Sequence, residues 1–156
     1  MKITLLCVGK TSFGYLKEGI ALYADRMKRY ASFSIVEIPD RKKGEPPISE
    51  WQKMEGEQLL DRIGASDYLV LLDERGRQLS SEEFAGFVED KINRSLKHLV
   101  FAVGGAYGFS PELYARANDK LSFSRLTFSH QLVRLIFMEQ VYRAFTIIRG
   151  EPYHHA

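Results

Sequence analysis

With one cysteine, Cys7, in 156 residues, the chain cannot form an internal disulfide, and its cysteine and four histidines do not fall into zinc-ligand spacing. Neither staple is needed, because a chain of this length buries roughly 70% of its unfolded surface on folding. No apolar run approaches the ~20 residues needed to span a bilayer, and no secretory leader opens the sequence. Internal repeats, low-complexity stretches and domain-boundary signals are also missing. Cys7 sits in the apolar run Ile3 to Val8, where a buried, inert thiol is the plain expectation. At 45% hydrophobic and 27% charged, the composition is that of one soluble globular domain, expected in a reducing cytoplasm without metal or membrane.

Charge of one sign is scarce overall, with a net of +2, but its distribution is uneven. Residues 1–90 carry 13 basic and 16 acidic side chains, a net of −3, whereas residues 91–156 carry 9 and 4, a net of +5. A polyanion would therefore meet the C-terminal part, unless the imbalance is only that of a solvated surface.

Apolar runs rich in branched residues alternate with stretches of helical period, which predicts an α/β domain with a β-α unit repeated five times. Strands are expected at Ile3 to Val8, Phe33 to Ile38, Asp67 to Leu72 and His98 to Val103. A helix from Phe13 to Tyr30 would place Leu16, Ile20, Tyr23 and Met27 on one face. Asp40 to Pro47, charged and proline-bearing, reads as an exposed loop. Ser49 with Gln52, and Ser80 with Glu83, have capping-box spacing and predict two further helix starts, the first helix running to Arg62. Ser110-Pro111 fits an N-cap followed by proline at the first helical position, with a short helix to about Asn118. Leu121 to Phe128 reads as part strand and part loop. The last helix, His130 to Ile148, is apolar on nearly every side. Either it lies centrally buried, or some of its residues meet a second subunit, and the second reading is favoured for a terminal helix in so small a domain.

Three constellations can carry chemistry. Gly104-Gly105-Ala106-Tyr107-Gly108 follows a strand directly, where backbone can approach a ligand closely. It matches neither G-x-G-x-x-G nor G-x-x-x-x-G-K-[ST] and has no adjacent lysine, so the usual phosphate cradles do not fit and a purely structural turn stays open. Asp73 and Glu74 end the third strand. Being adjacent, they point to opposite sides, which disfavours a paired acid/base site and leaves metal or ribose binding against a solvated loop. Arg149 to His155 forms a tail after Gly150 and Pro152, in which Tyr153 and His154, near Arg143 and Arg149, suit a nucleobase and its phosphates. A disordered terminus is the competing reading. His130, beside Ser129, reads as a helix cap more than a base, and no Ser-His-Asp triad can be assembled by spacing.

Together, MKITLLCVGK at the start, LLDERGRQLSSEEFA at residues 71–85, FAVGGAYGFS at 101–110, LSFSRLTFSHQLVRLIFMEQVYRAF at 121–145 and the ending RGEPYHH resemble the ribosomal RNA large-subunit methyltransferase H family. These are small SPOUT-class enzymes that methylate N3 of a pseudouridine in 23S rRNA. The resemblance covers essentially the whole chain. It implies a mainly parallel sheet with helices on both faces and a C-terminal trefoil knot, which patterning alone would exclude. It further implies bent S-adenosylmethionine as cofactor, an obligate homodimer that completes each site, and 23S rRNA within the ribosome, not DNA, as partner. Carried onto this sequence, the cofactor contacts fall on Leu72, Gly104, Phe123, Ser124, Arg125, Leu126, Thr127 and Phe128, with Gly105 as a neighbour. The catalytic group falls on His154 as acceptor or relay of the imide proton, Tyr153 packing on or orienting the base, and Arg143, with Arg134, engaging RNA phosphate.

Two readings from other classes compete. A non-catalytic ribosome-binding factor predicts a damaged glycine turn or a lost Tyr-His tail, and both features are present. A nucleotide hydrolase wants a phosphate loop after the first strand, where Val8-Gly9-Lys10-Thr11-Ser12 offers a single glycine.

Overall fold

In the computed structural model, residues 1–40 and 44–155 are described. Arg41, Lys42 and Lys43 of the expected loop lie outside the described residues. The β-α unit does repeat five times: β1 (Lys2–Val8), α1 (Gly14–Met27), β2 (Ser32–Ile38), α2 (Ile48–Leu60), β3 (Tyr68–Gln78), α3 (Ser81–Asn93), β4 (His98–Val103), α4 (Pro111–Arg116), β5 (Asp119–Ser122) and α5 (Leu132–Ile148). All strand pairings are parallel, in the order β2-β1-β4-β3-β5. The inner strands β1 and β4 are buried along almost their whole length, as expected of strands covered on both faces.

Alternate residues of each strand feed two cores. Ile3, Leu5 and Cys7 of β1 and Leu99, Phe101 and Val103 of β4 meet α1, α3 and α5. Leu6, Val8, Val100 and Ala102 meet α2 and α4 on the other face. In the larger core, Phe101 and Phe137 rings lie 4.8 Å apart, and Phe84 packs edge-on to Phe101 and Phe123. Such pairs add about 0.5–1.5 kcal/mol each beyond the area they bury. Because α5 lies between α1 and α3, most of its apolar residues are covered within the chain. Its all-round apolarity is thus largely explained without a second subunit, although Leu132 remains exposed.

Helix starts follow local chemistry, with one correction. Ser80 and Glu83 form the expected reciprocal capping box, and the Ser110 side chain accepts from the Leu113 amide ahead of Pro111. Ser49 and Gln52 do not form one. The chain arrives extended through Pro46-Pro47, so α2 begins at Ile48, and the Pro47 carbonyl accepts from the Glu50 and Trp51 amides. Gln52 instead donates to the Tyr107 carbonyl across 2.7 Å. The third strand is also longer than expected. It runs past Leu72 to Gln78 through a register shift against β5, where Gly76 passes so close to Leu121 that a Cβ would lie 2.7 Å from its backbone.

Arg134 overturns a sequence expectation. It is 1% exposed, out of reach of an RNA phosphate, and its guanidinium donates to the carbonyls of Val8, Gly9 and His130 and to the Thr11 hydroxyl at 2.8–3.1 Å. Gln131 adds a second tie, donating to the Lys10 carbonyl and accepting from the Ser12 amide. Arg134→Leu leaves those carbonyls buried without partners and is expected to cost about 3 kcal/mol, read as a lower urea midpoint at unchanged slope. Cys7, fully buried, has its thiol pushed up to about 12 by desolvation. Folding favours the protonated thiol, so its contribution to stability is whole below about pH 9 and is lost as pH rises toward 12. A thiol reagent at pH 8 should label Cys7 only after denaturant unfolds the chain.

Candidate active site

The carboxyl ends of β3, β4 and β5 open into a cavity of about 420 Å³, within the range of small-molecule sites. Apolar side chains of Leu72, Val103, Leu121 and Phe123 form its floor. The glycine turn after β4 forms one wall and residues 122–130 the other. The turn is tightly built: a Cβ on Gly104 would lie 3.2 Å from the Phe109 ring, and Gly108 has φ +79°. Small residues are therefore required where the backbone faces the cavity.

The second wall is preorganised by its own polar groups. The Ser122 hydroxyl donates to the Ser124 carbonyl and accepts from the Ser124 amide, and the Ser124 hydroxyl accepts from the Leu126 amide. Thr127 donates its hydroxyl to Glu74 across 2.8 Å, pinning the loop to β3. Asp73 and Glu74 are thus strand residues with partners, not a solvated loop, since Asp73 accepts from the Tyr114 hydroxyl at 2.6 Å. Burial, and then that contact, push the Tyr114 phenol up to about 12. Leu126 stands 74% exposed at the rim, an apolar side chain offered to whatever fills the cavity.

Of the residues expected to hold a cofactor, all but Arg125 line this one cavity. Arg125 is exposed and turned out of it. Among the described residues, the lining includes Asp73, Glu74 and His130 but neither lysine nor arginine. Such a donor set suits a ligand with an aromatic ring and positive charge and suits a phosphate poorly.

Tyr153, His154 and Arg143 also come together, but elsewhere. Gly150, with φ +67°, ends α5 as expected, and the tail folds back onto α5 and α3. Tyr153 packs edge-on to Tyr142, lies under the Arg143 guanidinium and donates its hydroxyl to Glu139. Arg143 pairs with Glu139 and donates to His154 Nδ1 at 3.1 Å, so Nδ1 is an acceptor and Nε2 carries the hydrogen given to Glu82 at 2.8 Å. That contact holds the Glu82 carboxyl below its usual range. None of these tail residues lines the cavity of its own chain.

Sequence reasoning read His130 as a helix cap and passed over Glu55, and both lie at or beside the cavity. His130 lines it, with its imidazole pushed toward neutrality by burial and by nearby Arg134. Glu55 of α2 is buried, and desolvation and Asp40 push its carboxyl upward while the Gly105 amide, from which it accepts, pulls the other way. Helical spacing sets Glu55 on the buried face of α2 with Trp51 and Leu59, apart from its solvated neighbours Glu50 and Glu57. What the pattern does not show is that this face of α2 meets the glycine turn. A Cβ on Gly105 would lie 2.6 Å from both Glu55 carboxylate oxygens, so Gly105→Ala is expected to lower stability by about 1–3 kcal/mol in denaturant unfolding.

Comparison with known proteins adds to this geometry. A family model described as "Predicted SPOUT methyltransferase" matches residues 1–154. The chain is 50% identical over 156 residues to Ribosomal RNA large subunit methyltransferase H of Christiangramia forsetii, covering 99% of each protein. Identity to the proteins of the same name is 46% in Cytophaga hutchinsonii, over 99% of this chain and 100% of that one, and 48% in Parabacteroides distasonis, over 99% of each.

Proposed function

Because the chain belongs to the SPOUT methyltransferase family, we propose that it uses S-adenosylmethionine to methylate N3 of a pseudouridine in 23S rRNA on the assembled ribosome. Family membership also implies the C-terminal trefoil knot. The observation that carries the cofactor reading is the single cavity lined by Leu72, Gly104, Gly105, Phe123, Ser124, Leu126, Thr127 and Phe128. When bound, S-adenosylmethionine supplies an activated sulfonium methyl group.

This chain's residues bind, orient and exclude water. The glycine turn and the backbone of residues 123–128 hold the adenine end between apolar walls, and Asp73 and Glu74 place negative charge at the rim toward the ligand's cationic groups. With the methyl already activated, alignment of the target nitrogen supplies much of the remaining rate. Tyr153 and His154 stay on the α3–α5 surface of their own chain, so a second copy is needed to bring a tail to each cavity, and the homodimer is the working unit. His154 takes the imide proton at Nδ1 once Arg143 releases that nitrogen to bind RNA phosphate, and Tyr153 orients the base. Recognition of folded rRNA, not of a short oligonucleotide, is expected from the local basic excess of residues 91–156 on so small a domain.

Incubating the protein and labelled cofactor with ribosomes that lack the modification, then mapping the product, should place the methyl on N3 of one 23S rRNA pseudouridine. Label on another base, or equally fast labelling of an isolated stem-loop, would contradict the reading. Calorimetry should give micromolar cofactor binding at one or two sites per dimer. His154→Ala should lower turnover by about 100-fold or more while leaving cofactor affinity within about twofold; an active mutant would remove the proton-acceptor role.

A further inference from the structure

We infer that the crevice between the carboxyl ends of β1 and β4 is the subsite for the target base, and that Glu55 there accepts the N1–H that a pseudouridine has and a uridine lacks. The inference rests on the substrate proposed above and deepens it, by naming the residue that tells the two bases apart.

The crevice follows from the topology. After β1 the chain enters α1 on one face of the sheet, and after the neighbouring β4 it leads to α4 on the other. Parallel sheets bind ligands where adjacent strands diverge in this way. A cavity of about 560 Å³ opens there, and it shares Gly105, Ala106 and His130 with the cofactor cavity. It is therefore the adjoining space from which a ring can face a group bound next door.

Its walls suit a pyrimidine. Tyr107, 45% exposed, presents its ring beside buried Trp51, with ring centroids 6.2 Å apart at 41°, and a flat ring can stack on Tyr107. Tyr107 is held in place through its carbonyl by Gln52. Glu55 lies behind them against Gly105. A carboxylate has about four acceptor positions, and the Gly105 amide uses one, so capacity for a further N–H remains. Burial makes the charged form costly unless a donor is supplied, and desolvation together with Asp40 already holds this carboxyl above its usual range. A donor at N1 of a C-linked pyrimidine ring meets that need. A uridine, with its sugar on N1, leaves the carboxylate without one, and sites built around a buried N–H contact discriminate strongly against the analogue lacking it.

Two ribosome preparations, with pseudouridine or with uridine at the target position, test this against native protein and Glu55→Gln. Native protein should methylate the pseudouridine form at least about tenfold faster. Glu55→Gln should lose about tenfold on pseudouridine and stay within about twofold on uridine. Cofactor affinity by calorimetry should stay within about twofold and serves as the check on folding. An undiminished preference in Glu55→Gln, or none in native protein, overturns the role of Glu55. Tyr107→Ala, at a position already 45% exposed, is the independent probe of the subsite. It should raise the KM for pseudouridine ribosomes about fivefold or more without changing cofactor affinity, and an unchanged KM overturns the subsite. Native protein that binds the cofactor but methylates neither preparation overturns the substrate reading itself, and this inference with it.

Discussion

The buried guanidinium of Arg134 is the contact on which the rest of the molecule depends. It carries α5, the last helix, back to the first strand and holds the turn after β1 through two carbonyls and a hydroxyl. A buried arginine costs several kcal/mol in desolvation unless its donors are met, and here each nitrogen has a partner. The same tie fixes where residues 123–131 must run. From the edge strand β5 they cross toward β1, and in crossing they form a wall of one cavity and meet the mouth of the other.

That arrangement separates three tasks. The cofactor cavity uses backbone and apolar surface, with a serine-threonine lattice to keep its outer wall in shape. The neighbouring crevice offers aromatic surface and a carboxylate. The tail offers an imidazole, a phenol and a guanidinium, locked to one another and to Glu139 and Glu82. These groups lie apart within one chain, which is why a homodimer belongs to the proposed function. Most of the apolar surface of α5 is consumed by α1 and α3, so a contact between copies draws on what is left, including Leu132.

Local rules were readable where local chemistry decides. The Ser80 capping box, the Ser110-Pro111 helix start, the bounds of β4 and the burial of Cys7 all follow from near neighbours. They failed where the approach of the chain or a distant segment intervened. Ser49 has capping-box spacing but is displaced by the direction in which Pro46-Pro47 delivers the chain. Asp73 and Glu74 resemble the end of a strand, yet β5 pairs beyond them and draws the strand on to Gln78. Arg134 is a lone basic residue among Leu132, Val133, Leu135, Ile136 and Phe137, and nothing near it in sequence announces the carbonyls of Val8 and Gly9.

By itself the sequence determined the β-α rhythm, the impossibility of an internal disulfide and, through long motifs in fixed order, the family. Of the nine residues that the family resemblance assigned to a cofactor, eight line one cavity, while the rest of that lining, Val103 and His130 among it, was brought there by the fold. Tertiary structure alone decided that Arg134 is a tie and not an RNA contact, that the tail rests on its own α5, and that Glu55 of all the acidic residues on α2 faces the glycine turn. For Arg134 and Glu55 the reason is the same. A carboxylate or guanidinium takes its role from desolvation and from the partners brought to it, and in this fold those partners come from segments about 50 to 125 residues away.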